Sequence, residues 1–134
     1  MAVTKPSFPS KSHKILLAED EAMIRELIAT FLTNHGYTVH EAENGRQSLE
    51  QARKIGAEQI SLLITDLVMP VMGGLELASE LRKIQPGLRV LYISGYTDDV
   101  VVLEGESKVK TAFLRKPFSF ETLGQRVESL LAQP

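Results

Sequence analysis

Short apolar runs alternate with amphipathic segments along this chain, and that alternation constrains the fold more than any other feature. Each run has the length and composition of a buried or half-buried strand, and each intervening segment has apolar residues at helical spacing. The five runs span residues 14–18, 37–42, 61–65, 88–93 and 111–114. Strands that alternate with helices form a parallel sheet covered on both faces by right-handed crossovers. We therefore predict an α/β, flavodoxin-like (βα)5 fold with the doubly wound strand order 2-1-3-4-5.

The segments between the runs carry the residues that begin and end helices. Asn44 and Ser119 are typical N-caps for the second and last helices, and Gly36 and Gly56 suit the left-handed residue that follows a helix. The first helix is predicted from Glu21, the third over 74–84, the last over 119–131, and a short, weak one over 97–105. The apolar residues that fall at helical spacing are Ile24, Leu27, Ile28, Phe31 and Leu32 in the first helix, and Leu75, Leu77, Ala78, Leu81 and Ile84 in the third.

Composition excludes several classes of protein. A chain of 134 residues that is 43% apolar fits one globular domain, and a net charge of −2 favours neither a nucleic-acid surface nor a membrane surface. The absence of cysteine excludes disulfides and thiolate metal sites. Residues 1–13 lack the apolar segment of a signal peptide and are predicted to be a flexible lead-in to a single domain at 14–132. We expect a cytoplasmic protein, monomeric as an isolated domain, without direct nucleic-acid or membrane contact.

Three carboxylates follow two of the predicted strands. Glu19 and Asp20 come directly after the first strand, and Asp66 follows the third, before a loop that contains Pro70. The predicted strand order makes these strands neighbours at the switch point, where such sheets bind ligands beyond the strands' carboxyl ends. Clustered carboxylates repel each other unless a cation neutralises them, and all-oxygen ligands suit Mg²⁺ or Mn²⁺. The sequence therefore predicts a site for a divalent cation.

Asp66 also has the chemistry of a nucleophile. A carboxylate that faces a divalent cation can attack phosphorus and form an aspartyl phosphate. Ser94 after the fourth strand can donate a hydroxyl to the transferring phosphoryl group, and Lys116 after the fifth can supply an ammonium. Taken singly, such residues also occur in turns, helix ends and solvated surfaces. The combination at the ends of four strands is what favours a phosphoryl-transfer site.

Four motifs contain these residues: Leu16-Leu-Ala-Glu-Asp-Glu21, Thr65-Asp-Leu-Val-Met-Pro-Val-Met-Gly-Gly74, Ile93-Ser-Gly-Tyr96 and Phe113-Leu-Arg-Lys-Pro-Phe118. They resemble those of the receiver domains of two-component response regulators, and the resemblance covers residues 14–131. It implies a regulatory phosphoacceptor domain rather than an enzyme. In that family, the residue that matches Asp66 accepts phosphate from a phosphohistidine on a sensor histidine kinase or a histidine phosphotransfer protein.

The resemblance also implies how the metal is held. Asp20 and Asp66 would bind it directly, Glu19 would bind it through water, and the backbone carbonyl of Val68 would complete the protein ligands.

The same resemblance implies a switch in the surface around the fourth and fifth strands. Ser94 would follow the phosphoryl group, Lys116 would pair with it, and Phe113 would be the aromatic side chain that rotates.

A docking surface for the partner is predicted at the start of the first helix, whose first turns flank the mouth of the pocket. Ile24 and Leu27 lie one turn apart and share a face of that helix. Leu27, Ile28 and Phe31 are enough to fill the inner stripe, so we expect Ile24 to be partly exposed and to anchor a partner. The alternative is that Ile24 belongs to the core.

Other functions of the same fold fit the residues less well. A phosphatase with an aspartyl intermediate typically needs an acid two residues after the nucleophile, where this chain has Val68. A flavin-binding module needs a loop that cradles phosphate after the first strand, where three consecutive acids would repel it. A receiver that serves only as an interaction domain would not need the complete polar set. No output domain follows Leu131, so we expect a stand-alone receiver or part of a larger protein, with features that resemble the C-terminal receivers of hybrid sensor kinases.

Overall fold

The computed structural model describes residues 13–95 and 110–133, and this part of the chain contains one parallel sheet. Its strands are β1 (Lys14–Ala18), β2 (Thr38–Ala42), β3 (Ile60–Asp66), β4 (Arg89–Ser94) and β5 (Thr111–Arg115). Every neighbouring pair is parallel, and the strand order is β2-β1-β3-β4-β5. The predicted flavodoxin-like order is therefore confirmed.

The helices of the described residues lie between the strands and after the last one. They are α1 (Ala22–Asn34), α2 (Gly45–Ile55), α3 (Gly74–Ile84) and α4 (Phe120–Leu131), and a short 3-10 turn spans Ala57–Gln59. The weak helix predicted over 97–105 and most of the predicted lead-in fall outside the described residues. None of the described helices combines the length and the apolar character that crossing a membrane requires.

Local signals in the sequence begin and end these helices as predicted. The side chains of Asn44 and Ser119 each accept a hydrogen bond from the N–H three residues further on, at 2.8 and 3.0 Å. Gly36 and Gly56 follow helices with φ of +95° and +99°, a region that favours glycine. Several boundaries differ by a residue. Glu21 is the N-cap of α1 rather than its first residue, and β3 is one residue longer at each end than predicted. The strands β2 and β4 each begin one residue later than predicted, and β4 and β5 each end one residue later.

The core lies on both faces of the sheet because successive strand residues point in opposite directions. Leu16 and Ala18 of β1 pack with α2 and α3, whereas Ile15 and Leu17 pack with α1 and α4. All four side chains are fully buried. The central strands are thus held between two layers of helices, which leaves their carboxyl ends as the exposed polar edge.

Two residues of the apolar patterns in α1 and α3 lie on the surface. Leu27 is 50% exposed, because α1 turns Ile28, Ala29 and Leu32 toward the sheet. Ile84 is 49% exposed at the last residue of α3. The placement of Leu27 on the inner stripe of the first helix was therefore wrong.

Candidate functional site

The register of the strands brings the predicted polar residues to one edge of the sheet. Ala18 pairs with Thr65, which places Glu19 beside Asp66, and Asp66 in turn pairs with Ile93, the residue before Ser94. The last residue of β5 pairs with Ser94, and the Lys116 N–H donates to the Ser94 carbonyl at 2.8 Å. Four strand ends therefore supply one site.

Three carboxylates meet at this edge. One carboxylate oxygen from each of Glu19, Asp20 and Asp66 lies within 4.8 Å of the other two. Glu19 and Asp66 are only 1% and 5% exposed, whereas Asp20 is exposed. Glu19 Oε1 is buried and accepts no hydrogen bond from the described residues. Three carboxylate oxygens at such short separations suit a hard divalent cation or a water bound to it.

Lys116 brings a positive charge to this cluster. Its Nζ lies 3.2 Å from Asp66 Oδ1, 3.4 Å from Glu19 Oε1 and 3.5 Å from Glu21 Oε1. One ammonium thus faces three carboxylates, and the carboxylate of Asp20 lies beside them. The group as a whole carries excess negative charge that a cation would neutralise.

The electrostatics of the cluster shift both central groups. Burial raises the pKa of Asp66 from 3.8 to about 8, the neighbouring Glu19 carboxyl adds to the rise, and Lys116 opposes it. Burial alone would lower the pKa of Lys116, but the attraction of Asp66 and Glu19 outweighs it, so this pKa lies above its ordinary value. A proton on Asp66 therefore relieves the repulsion near neutral pH, and a bound divalent cation would displace that proton.

The cluster opens into a polar cavity of about 320 Å³. Its lining residues are Asp20, Glu21, Asp66, Val68, Ile93, Ser94, Gly95 and Lys116. Ser94 is 4% exposed, whereas the side chain of Val68 is 63% exposed. The structure therefore brings Asp66, Val68, Ser94 and Lys116 to the same cavity.

Two glycines let the loop after β3 pack closely against Asp66. A Cβ on Gly74 would lie 2.2 Å from the Asp66 carbonyl oxygen, and a Cβ on Gly73 would lie 2.9 Å from that of Leu67. The Gly74 N–H also donates to the Leu67 carbonyl at 2.9 Å. Sequence reasoning interpreted this pair only as a break between strand and helix, because close packing is invisible in the local pattern.

A second cavity, of about 530 Å³ and mostly apolar, lies beside the first. Its lining residues are Ile24, Leu27, Ile28, Gly95, Lys116, Pro117, Phe118 and Phe120. We call it the α1–α4 groove. Gly95 and Lys116 line both cavities, so the groove is continuous with the polar pocket. Ile24 is half-buried, as expected, and both predicted docking residues line this groove.

Phe113 is not among the residues that line the polar cavity. It is a half-buried residue of β5 that packs against the core cluster beneath α2 and α3. The guanidinium of Arg115 lies 5.9 Å from the centroid of its ring. Phe113 is thus three residues from Lys116 on the same strand end.

Sequence reasoning missed two residues that contact this edge. Glu21 was predicted as the start of the first helix and as one of three consecutive acids, but not as a partner of Lys116, with which it pairs. Arg25 donates to the carbonyl of Glu19 at 2.7 Å. The sequence spacing could have indicated this contact. Arg25 follows Glu21 by four residues and Glu19 by six, and one turn of an α-helix places a residue beside the one four positions earlier.

Residues 15–128 match the family model of the response regulator receiver domain. The chain belongs to this family. Two curated relatives of the receiver domain come from Brucella abortus (strain 2308). The sensor kinase CckA is 38% identical over 129 residues, which are 96% of this chain and 14% of CckA. The response regulator receiver protein CpdR is 34% identical over 118 residues, which are 88% of this chain and 96% of CpdR.

Solved structures show the same fold. The receiver domain of the hybrid histidine kinase CckA superposes with a TM-score of 0.75 at 35% identity, over 88% of this chain and 98% of that one. The response regulator TrrA from Thermotoga maritima, solved in complex with Mg²⁺-BeF, has a TM-score of 0.73 at 31% identity over the same shares. This receiver domain thus has the architecture of a regulatory module in two-component signalling.

Proposed function

We propose that this receiver domain accepts a phosphoryl group on Asp66 from a phosphohistidine of a sensor histidine kinase or a histidine phosphotransfer protein. One observation carries the proposal: the buried Asp66 carboxyl faces a polar cavity, with Glu19 and Asp20 on one side and Lys116 at 3.2 Å. A nucleophile, a candidate metal site and a cation for the phosphoryl oxygens are therefore adjacent.

The transfer step is an in-line displacement at phosphorus. A carboxylate oxygen of Asp66 forms the new O–P bond while the P–N bond of the phosphohistidine breaks, and its electron pair goes to the imidazole nitrogen. Lys116 exchanges its contact with Asp66 for a contact with the phosphoryl oxygens. Ser94, at the end of β4, donates its hydroxyl to the same group.

The acids are proposed to hold Mg²⁺, or Mn²⁺ in its place. Asp20 and Asp66 would bind the ion directly, Glu19 would bind it through a water, and the carbonyl of Val68 would complete the protein ligands. When bound, the ion neutralises charge on the carboxylate and the incoming phosphoryl group. The clustering of the three carboxylates within 4.8 Å of one another supports this assignment, and the complex of TrrA with Mg²⁺-BeF supports it by similarity.

Phosphorylation is proposed to change the surface around β4 and β5. The backbone bond between the Lys116 N–H and the Ser94 carbonyl ties the ends of these strands together. A movement of the Ser94 or Lys116 side chain toward the phosphoryl group would therefore displace the ends of both β4 and β5. Phe113 on β5 is the proposed aromatic switch, because it is half-buried and so has room to change its packing.

The α1–α4 groove is the proposed docking site for the partner helix that carries the phosphohistidine. The groove is apolar, and it shares Gly95 and Lys116 with the phosphoryl pocket, so a helix in the groove holds its histidine beside Asp66. Leu27 and Phe120 are 50% and 38% exposed there. Such exposed large apolar residues rimming a pocket are typical anchors for an amphipathic helix.

The phosphoacceptor proposal is tested with a small phosphoryl donor, phosphoramidate, and Mg²⁺. The intact mass of the wild type should rise by one phosphate, and EDTA should block the increase. Asp66→Asn should remain unlabelled, and Asp20→Asn should need more Mg²⁺. Glu21→Gln is the matched control at the same cavity and should still be labelled. Labelling that persists undiminished in Asp66→Asn contradicts the proposal.

The docking proposal is tested by the rate of transfer from a phosphorylated histidine phosphotransfer domain. Leu27→Ala should slow this transfer about tenfold, as expected for a contact worth ~1.4 kcal/mol. Its labelling by phosphoramidate should not change, because the polar pocket is intact. Ile84→Ala is the matched control, since Ile84 is equally exposed on α3. Equal transfer rates for the two variants would exclude the groove as the docking site.

A further inference from the structure

Arg25 connects the first strand–helix loop to the end of β2. Its side chain is only 17% exposed, and its Nη1 donates to the Glu19 carbonyl at 2.7 Å. Its Nε lies 3.5 Å from Glu41 Oε1, whose side chain is 43% exposed. The short hydrogen bond to the backbone is thus the stronger of the two contacts, because charge-assisted bonds of this length exceed exposed ion pairs in strength.

The carbonyl that Arg25 holds belongs to the peptide group that joins Glu19 to Asp20. Because that group is planar, fixing its oxygen also fixes the direction of the Asp20 N–H and Cα. The preceding peptide group is held as well, since the Glu19 N–H donates to the Ala42 carbonyl at 3.1 Å. Two successive peptide groups are therefore oriented by contacts to other parts of the fold.

Asp20 depends on this backbone more than its neighbours do. The side chain of Glu19 is buried and is held directly, by the Glu21 N–H at 3.1 Å and by Lys116. Asp20 is exposed, so packing does not position its carboxylate. Its place beside Asp66 follows from the direction of its own backbone.

We propose that Arg25 is a positioning residue for the cation site: it orients the Glu19–Asp20 peptide so that the Asp20 carboxylate faces Glu19 and Asp66. This inference rests on the proposed function, in which Asp20 binds the metal directly. A residue that acts in this way lowers the concentration of cation needed for half-saturation without taking part in phosphoryl transfer.

The positive charge of Arg25 makes it possible to distinguish a positioning role from a simple electrostatic effect. A guanidinium near an anionic site repels a divalent cation, so removing it should strengthen cation binding if charge alone matters. Removing a positioning contact should weaken binding instead. The two effects have opposite signs, and the sign of the change in affinity separates them.

The test measures Mn²⁺ affinity by electron paramagnetic resonance in the whole chain. Arg25→Gln should raise the dissociation constant about tenfold, and Arg25→Lys, which keeps the charge but loses the planar fork, about threefold. Glu41→Gln should stay within about twofold, because it leaves the bond to Glu19 in place. In phosphoramidate labelling, Arg25→Gln should need about tenfold more Mg²⁺ while its maximal rate stays within about twofold. If Arg25 had a purely structural role, Arg25→Gln would lower the melting temperature but would change neither the Mn²⁺ dissociation constant nor the Mg²⁺ requirement for labelling.

Two outcomes overturn the inference: wild-type or tighter Mn²⁺ binding by Arg25→Gln, or a lower maximal rate at an unchanged Mg²⁺ requirement. If Arg25→Gln does not fold, the same criteria apply to Arg25→Lys. Asp20→Asn separates this inference from the proposed function. Wild-type affinity in Asp20→Asn refutes the metal site itself, whereas weakened binding there with normal binding in the Arg25 variants refutes only the role of Arg25.

Discussion

Replacing Asp66 with asparagine should change how the stability of the apo domain depends on pH. The pKa of Asp66 is about 8 in the folded protein against the ordinary value of 3.8, which applies to an aspartate in an unfolded chain. The folded state therefore binds more protons than the unfolded state between about pH 4 and pH 8, so the free energy of unfolding falls as pH rises through this range. Asp66→Asn removes the titrating group and should flatten this part of the profile.

The size of the effect follows from the same shift. At about 1.36 kcal/mol per pH unit, the full difference corresponds to an upper bound of roughly 5–6 kcal/mol. We expect about half of it, roughly 3 kcal/mol, because the cavity opens to solvent, which screens the interactions of the Asp66 carboxylate. In EDTA at pH 8, Asp66→Asn should therefore be more stable than the wild type by about this amount, and the difference should nearly vanish at pH 4.

Urea denaturation of both proteins at pH 4, 5, 6, 7 and 8 in EDTA measures this difference. Subtracting the two profiles cancels the contributions of distant groups, such as His13 at the opposite end of β1. Glu21→Gln is the control, because it removes an exposed acid from the same cavity and should leave the profile nearly unchanged. Adding Mg²⁺ at pH 8 should stabilise the wild type more than Asp66→Asn. Parallel profiles for wild type and Asp66→Asn would refute the assignment of a strongly raised pKa to Asp66.

Three further substitutions test other parts of the site. Gly74→Ala should lower the free energy of unfolding by about 2–3 kcal/mol and slow phosphorylation, because the added Cβ would lie 2.2 Å from the Asp66 carbonyl oxygen. Urea denaturation measures the loss of stability, and a variant as stable as the wild type would contradict this prediction. Lys116→Ala should fold normally but lose the NMR shifts that beryllofluoride produces around Phe113, and undiminished shifts would reject its role in the switch. Ile24→Ala should cost about 1–2 kcal/mol, because Ile24 is half-buried and packs on the core. It should also slow partner transfer, and normal transfer in a destabilised variant would make Ile24 a core residue only.

Much of the fold could be predicted from the sequence because its signals act over short distances along the chain. The run at 61–65 indicates a buried strand by its composition alone, and Asn44 and Ser119 cap helices through bonds to N–H groups three residues away. The strand order then follows from general rules for connecting parallel strands. With that order, the residues that end the strands are assigned to one edge, so the sequence alone predicts that Asp66 and Lys116 share a site.

Only the tertiary structure decided which residues contact one another across that edge. The rotation of α1, which exposes Leu27, depends on how the helix packs against the sheet and α4, and its apolar pattern alone admits both orientations. The bond of Arg25 to the Glu19 carbonyl requires the angle at which α1 leaves β1. The raised pKa of Asp66 requires burial and the proximity of Glu19, which is 47 residues away in sequence. Such contacts depend on distances of a few ångströms between remote residues, and no periodicity in the chain encodes these distances.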